Sequence, residues 1–131
     1  MKKSLLFLIS FGITFALFTS CEEKKDEDVC QRFNQITNIN PTCDIPSICC
    51  PVEENENCYI QNTSGKKYYC NASQSSDTNP NGCNIAQEQY IAENCQTSKM
   101  TSEQIAKIKA EFDQITFELL QKVRTLSLIC Q

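Results

Sequence analysis

The sequence predicts a small, disulfide-rich α+β domain, built from short helices and a β-hairpin, that carries a long amphipathic C-terminal helix. Residues 30–95 hold eight cysteines, no leucine and few other aliphatic residues, so they cannot form a large apolar core. Residues 102–129 place an apolar residue at every third or fourth position, which is the spacing of an amphipathic helix. We therefore divide the chain into an N-terminal segment (1–20), a charged tether (21–28), a cysteine-rich domain (29–97) and a C-terminal helix packed on it (98–131).

The N-terminal segment has the three parts of a secretory signal peptide. Lys2 and Lys3 are followed by a stretch from Leu5 to Phe18 that is almost entirely apolar. That stretch is shorter than the roughly 20 residues that span a bilayer, and it suits the apolar region of a signal peptide. The small residues that a cleavage site requires come next, so we expect residues 1–20 to be removed.

The four residues Phe18-Thr19-Ser20-Cys21 resemble the lipobox of bacterial lipoproteins, with Phe18 in place of the usual leucine. The resemblance implies that the Cys21 thiol carries a diacylglycerol, that a lipoprotein signal peptidase cuts before Cys21, and that the new amine is acylated. Each buried CH₂ contributes about 0.8 kcal/mol, so two or three acyl chains on one residue anchor a protein stably in a membrane. The alternative is an ordinary secretory signal followed by an incidental cysteine.

Seven charged residues, 22–28, follow Cys21, and a segment of this composition stays solvated as a tether. Within it, Lys25-Asp26-Glu27 resembles the acidic export signal of surface lipoproteins in the Bacteroidetes phylum. This resemblance implies an outer-membrane protein that faces the cell exterior. The alternative is that the charged run is only a spacer.

Composition disfavours several classes of function. Removal of residues 1–20 leaves 10 basic and 16 acidic residues, a net charge of −6, which does not suit a nucleic-acid partner. The chain has no histidine, which excludes zinc sites built on imidazole and Ser–His or Cys–His nucleophile pairs. It also has no Cys-x-x-Cys motif for zinc or redox chemistry. We therefore predict no enzyme, no metal and no cofactor other than the lipid on Cys21.

In an exported chain, this density of cysteine predicts structural disulfides. Nine cysteines remain after Cys21, an odd number, so one is unpaired within the chain: Cys30, Cys43, Cys49, Cys50, Cys58, Cys70, Cys83, Cys95 and Cys130. We expect the adjacent Cys49 and Cys50 to point to different partners rather than to each other. We further expect one of these two to be the leftover thiol and Cys130 to pin the C-terminal helix to the domain. The alternative for Cys130 is a bridge between two copies.

The first part of the domain is predicted to be a short helix and loops. Val29, Phe33 and Ile36 have helical spacing behind a possible N-cap at Asp28. Three prolines then favour loops over residues 39–57. The acidic cluster in this loop, Glu53, Glu54 and Glu56, is interpreted as a solvated run, with Ca²⁺ binding as the alternative.

Residues 58–61 and 66–70 are predicted to form a β-hairpin around a three-residue loop that ends at Gly65, the position that needs a left-handed conformation. The predicted register pairs 59 with 69, 60 with 68 and 61 with 67. Alternation then puts Cys58, Ile60, Tyr68 and Cys70 on one face and Tyr59, Gln61, Lys67 and Tyr69 on the other. We interpret the second face as a possible contact patch for a protein or glycan, formed by Tyr59, Lys66, Lys67 and Tyr69. The alternative is that the two tyrosines cover the C-terminal helix.

Two further helices are predicted. Residues 84–95 follow a turn, with Asn84 as cap and Ile85, Ala92 and Cys95 facing inward. In the C-terminal helix, Thr101 and Gln104 form a capping box, and the apolar stripe is Ile105, Ile108, Phe112, Ile115, Leu119, Val123, Leu126 and Cys130. We favour a monomer in which this stripe packs within the chain, and pairing of two chains through it is the alternative.

These features predict a membrane-anchored, surface-exposed lipoprotein that acts as a non-catalytic binding module or a subunit of an envelope complex. Its ligand would be an unidentified protein or glycan. The alternative is a small inhibitor or protective factor directed against an external enzyme. An enzyme that uses carboxylates ranks third.

Overall fold

The computed structural model describes residues 27–53 and 55–129. The predicted signal peptide, the lipid site at Cys21, Lys25 and Asp26 of the export signal, Glu54 and Cys130 lie outside the described residues. The predicted fold class is confirmed. The described part of the chain is a small disulfide-rich α+β domain with a four-stranded antiparallel sheet, short helices and a long C-terminal helix.

The sheet contains β1 (Val29–Arg32), β2 (Ser47–Cys50), β3 (Tyr59–Gln61) and β4 (Lys67–Tyr69), which lie side by side in chain order. A short helix, α1 (Ile36–Ile39), lies between β1 and β2. The hairpin of β3 and β4 has the predicted register, and Gly65 in its turn has a φ of 91°. As predicted, Ile60 and Tyr68 share the buried inner face.

Two further helices complete the fold: α2 (Asn84–Asn94) and α3 (Ser102–Ile129). Short 3₁₀ turns form at Ala72–Gln74 and Thr97–Lys99. The predicted capping box begins α3. The Gln104 backbone N–H donates to Thr101 Oγ1 at 3.1 Å, and the Thr101 N–H donates to Gln104 Oε1 at 3.0 Å. These bonds satisfy backbone donors that have no partner inside the helix.

The core lies between the inner face of the sheet and the three helices. The stripe of α3 is buried there at Ile108, Phe112, Ile115, Leu119 and Val123. Four aromatic rings connect the layers, because Phe112 packs edge-on against Phe33 and Tyr90, and Tyr90 packs edge-on against Tyr68. The centroids of these pairs are 5.3–5.7 Å apart, a separation at which edge-to-face rings attract each other.

Four disulfides link these elements: Cys30–Cys49, Cys43–Cys95, Cys50–Cys58 and Cys70–Cys83. Cys49 and Cys50 therefore have different partners, as expected. The expectation that one of them is the leftover thiol is wrong. They lie on opposite faces of β2, so each meets its own partner, Cys30 on the neighbouring strand and Cys58 at the start of the hairpin.

The predicted helix over residues 29–36 is wrong in its first half. Val29–Arg32 is strand β1, and its register places Cys30 opposite Cys49, the residue to which it is bridged. Phe33 and Ile36 are buried, as the apolar spacing indicated, but the helix begins only at Ile36. Pairing with β2 overrides a helical pattern that was only two turns long.

Two other expectations need correction. Residues 39–57 are not loop throughout, because β2 begins directly after Pro46, whose carbonyl accepts from the Phe33 N–H at 2.9 Å. In α2, the N-cap position is Cys83 rather than Asn84, and Ile85 and Ala92 are exposed. Cys95 is buried as expected, but the buried face of α2 is formed by Ala86, Gln87, Tyr90 and Ile91.

Candidate binding groove

The outer face of the hairpin carries the predicted tyrosine pair. Tyr59 is buried, its hydroxyl donates to Asp28 Oδ2 at 2.6 Å, and its ring lies 5.5 Å from that of Tyr69. Lys67 Nζ lies 4.3 Å from the centroid of the Tyr59 ring. Burial, reinforced by the Asp28 carboxylate, raises the pKa of Tyr59. Tyr59 is thus a structural residue that fixes the end of the tether to the sheet, and Tyr69 and Lys67 are the exposed members of the predicted patch.

Lys66 does not join this patch. Its ammonium lies 2.5 Å from Glu93 Oε2 on α2 and over the ring of Tyr68, on the side of the hairpin that faces the helix. The hydrogen bond to Glu93 raises the pKa of Lys66 and lowers that of Glu93. Alternation over residues 66–69, in β4 and the residue before it, explains the separation, because Lys66 and Tyr68 point to one face, and Lys67 and Tyr69 to the other.

A groove of about 660 Å³ lies on another part of the surface, between two loops and the C-terminal half of α3. Each loop is closed at its base by its own disulfide. Cys50–Cys58 closes the first over a sequence separation of 8, and Cys70–Cys83 closes the second over a separation of 13. Each cross-link holds the two ends of its loop together at the edge of the groove.

Hydrogen bonds join the two loops to each other and to the helix. The Ala72 N–H of the second loop donates to Asn57 Oδ1 of the first at 3.0 Å. Asn81 Nδ2 donates to the carbonyl of Asp113 on α3 at 3.1 Å. At the neck of the second loop, the Asn71 N–H donates to the Gly82 carbonyl at 2.8 Å. The three parts of the groove therefore form one connected structure.

The helical wall of the groove is partly apolar. Phe117, Leu120, Val123, Arg124 and Ser127 line it from α3, and Pro51, Val52, Ala72 and Pro80 line it from the loops. Leu120 is half-buried against the core, whereas the Phe117 side chain is 56% exposed. A large exposed ring beside a concave apolar surface is typical of a contact site.

Charge is distributed unevenly around the groove. The first loop contributes Glu53 and Glu56, both exposed, and α3 contributes the exposed Arg124. The ion pairs found among residues 27–53 and 55–129 are Lys66–Glu93 and Lys109–Glu88, so neither loop carboxylate is neutralised by a described cation. The loop wall of the groove is therefore acidic.

No family model, curated protein or solved structure matches the chain. In the part of the chain that the structure describes, no helix combines the length and the hydropathy needed to span a bilayer. A functional assignment therefore depends on the geometry of the groove and on the sequence of the N-terminal segment.

The sequence pattern did not identify this groove. Its walls are loops that the disulfides and α3 bring together, and the sequence indicates only a solvated run, or alternatively a Ca²⁺ site, at Glu53 and Glu56. One local signal was present. Phe117 and Leu120 lie three residues apart and outside the main apolar stripe of α3, so the helix has a second, weaker apolar face.

Proposed function

We propose that this chain is a lipoprotein, anchored by lipid on Cys21 in the outer membrane and facing the cell exterior, that acts as a non-catalytic binding module. The N-terminal pattern supports the anchor. Four disulfides within residues 30–95 support an exported protein, because such bonds persist in oxidising compartments. The observation that carries the binding role is the groove, whose two loop walls are each fixed by a disulfide.

Loops that are cross-linked at their bases favour a preformed binding surface. A preformed concave surface loses little conformational entropy when a partner binds, so more of the contact energy appears as affinity. The partner that binds in the groove would be a free ligand or another subunit of an envelope complex.

The anchor is tested by changing Cys21 to serine and labelling cells with a radioactive fatty acid. We expect Cys21→Ser to abolish labelling and to leave the uncleaved precursor, because the thiol is the attachment point. Ser20→Ala is the matched control, since it keeps a small residue before the cysteine and should preserve labelling. Unlabelled wild-type protein, or normal cleavage of Cys21→Ser, would contradict the proposed anchor.

Surface exposure is tested by replacing Lys25, Asp26 and Glu27 with alanine and adding protease to whole cells. We expect the protein to stay lipidated and to become protected from the protease. Alanine replacement of Glu22, Glu23 and Lys24 is the matched control, because it also removes one basic and two acidic residues. Equal protease sensitivity in both variants would reduce the tether to a spacer.

A further inference from the structure

We propose that the groove binds a protein segment that presents a bulky apolar side chain flanked by lysine or arginine. This inference rests on the proposed function, and it names the chemistry of the partner. Three features of the groove support it: a concave shape between two disulfide-closed loops, a helical wall that is largely apolar but carries Arg124, and a loop wall that carries Glu53 and Glu56.

The groove is large enough to hold a bulky side chain of a partner together with the residues beside it. Its volume of about 660 Å³ is open to solvent between loops that disulfides hold at their bases. Aromatic side chains provide much of the binding energy at protein contacts when they fill such pockets. An apolar anchor would contact Phe117, Leu120 and Val123, the last of which is 8% exposed and forms part of the floor.

The charge of the groove selects the residues that flank this anchor. Glu53 and Glu56 both line the same loop wall, and neither is paired with a cation of residues 27–53 or 55–129. Carboxylates that have no partner in the free protein attract lysine and arginine on a binding partner and repel acidic segments. A basic flank would therefore meet the loop wall while the apolar anchor contacts α3.

The same charges disfavour two other occupants. A second copy of this chain would bring a further net charge of −6 after removal of residues 1–20, so two copies repel each other. An anionic lipid surface would meet the acidic loop wall and be repelled as well. A protein segment that places its apolar anchor on Phe117 and its basic residues toward Glu53 and Glu56, away from Arg124 on the helical wall, is the occupant that suits both walls.

The test is direct binding of a fluorescent synthetic peptide that has a central Phe-Leu pair with two lysines on each side. The full chain is purified from an exporting host and used without detergent, in nanodiscs if it carries lipid, because detergent would fill the groove. We expect saturable binding that weakens with added salt, and little binding of the same peptide with glutamate in place of lysine.

Two variants assign the binding to the two walls. Phe117→Ala should weaken peptide binding at least about tenfold, whereas Ile85→Ala, at a similarly exposed apolar residue on α2, should leave it unchanged. Glu56→Lys should weaken binding about fivefold or more, and Glu103→Lys, which makes the same charge change in the first turn of α3, should not. The unfolding temperature of each variant shows whether it is folded. If Phe117→Ala does not fold, Glu56→Lys still tests the inference.

Several results would overturn the inference. These are equal binding of the lysine and glutamate peptides, no loss of binding in either groove variant, binding of anionic vesicles that depends on Phe117, or a dimer that Phe117→Ala dissociates. The fatty-acid labelling of Cys21 separates this inference from the proposed anchor. Protein that carries the fatty-acid label but does not bind the peptide contradicts only the inferred binding of a basic, apolar segment. Protein that lacks the fatty-acid label but binds the peptide contradicts only the proposed lipid anchor.

Discussion

Replacing Gly82 with alanine should lower the free energy of unfolding by about 2–4 kcal/mol, because two separate costs fall on one residue. Gly82 has a φ of 67°, a left-handed conformation that costs a residue with a Cβ atom about 1 kcal/mol. An added Cβ would also lie 1.8 Å from the backbone carbonyl oxygen of Asn71. Backbone atoms must then move apart.

The backbone at the neck of the second groove loop has little freedom to make that movement. The next residue, Cys83, is bridged to Cys70, and the Asn71 N–H donates to the Gly82 carbonyl at 2.8 Å. Loss of this hydrogen bond costs about 0.5–1.5 kcal/mol, and the remaining distortion adds to it. The whole effect should therefore reach about 2–4 kcal/mol.

Equilibrium denaturation in guanidinium, with all disulfides intact, measures this change. Gly65→Ala is the matched control, because Gly65 also has a positive φ, 91°, but an added Cβ there would meet only Gln61 Nε2 at 3.7 Å. We expect Gly65→Ala to cost about 1 kcal/mol, from backbone strain alone. Equal losses in the two variants would refute the close approach at the neck of the loop.

Three further outcomes are expected. Thr101→Ala should lower the free energy of unfolding by about 1 kcal/mol in the same denaturation experiment, because it removes the side-chain acceptor that caps α3. Phe112→Ala should cost about 3–5 kcal/mol, because a fully buried ring that touches two other rings is lost, and a loss below about 2 kcal/mol would contradict the packing. Burial works to raise the pKa of Asp44, but hydrogen bonds donated by the Thr63 side chain and backbone outweigh it, so this pKa is below its usual value near 3.8. The folded state therefore gains stability from ionised Asp44 at neutral pH and loses it as the pH falls through the lowered pKa. Asp44→Asn should flatten that acid limb of a stability-against-pH curve, and an unchanged limb would show that Asp44 does not contribute.

Local signals in the sequence were enough to predict α3 and the hairpin. The stripe of α3 repeats at helical spacing over many turns and starts with a capping box, and the hairpin has alternating residues on either side of Gly65. Both patterns involve residues that are close in the sequence, so each element can be predicted from its own segment without knowledge of its tertiary contacts.

The other strands depend on contacts that are distant in the sequence. Residues Val29 to Ile36 fit a helical pattern, yet Cys30 pairs with Cys49 and Val29 with Cys50 across a sheet. Spacing alone does not reveal which cysteines are bridged. Because the sequence does not show that Cys30 and Cys49 are bridged, it does not show that the segments around them pair as β1 and β2.

The candidate site shows the same division. Alternation in the hairpin places Tyr69 and Lys67 on one face, but the hydrogen bond from the Tyr59 hydroxyl to Asp28 joins residues 31 positions apart, so the hairpin alone could not predict it. The groove needs two disulfide-closed loops and α3 in contact, and no local pattern encodes that arrangement. Phe117 and Leu120, which lie outside the main apolar stripe of α3, are the local signal for a second contact surface.

The most direct test of the central claim, that the groove is the binding surface of an anchored protein, is site-specific photo-cross-linking in living cells. A photoreactive phenylalanine derivative is placed at position 117, inside the groove, or at position 85, an exposed apolar site on α2. We expect a defined covalent adduct with an envelope protein from position 117 only, and a weaker adduct when Glu56→Lys is added. No adduct at position 117, or the same adducts from both positions, would contradict the claim.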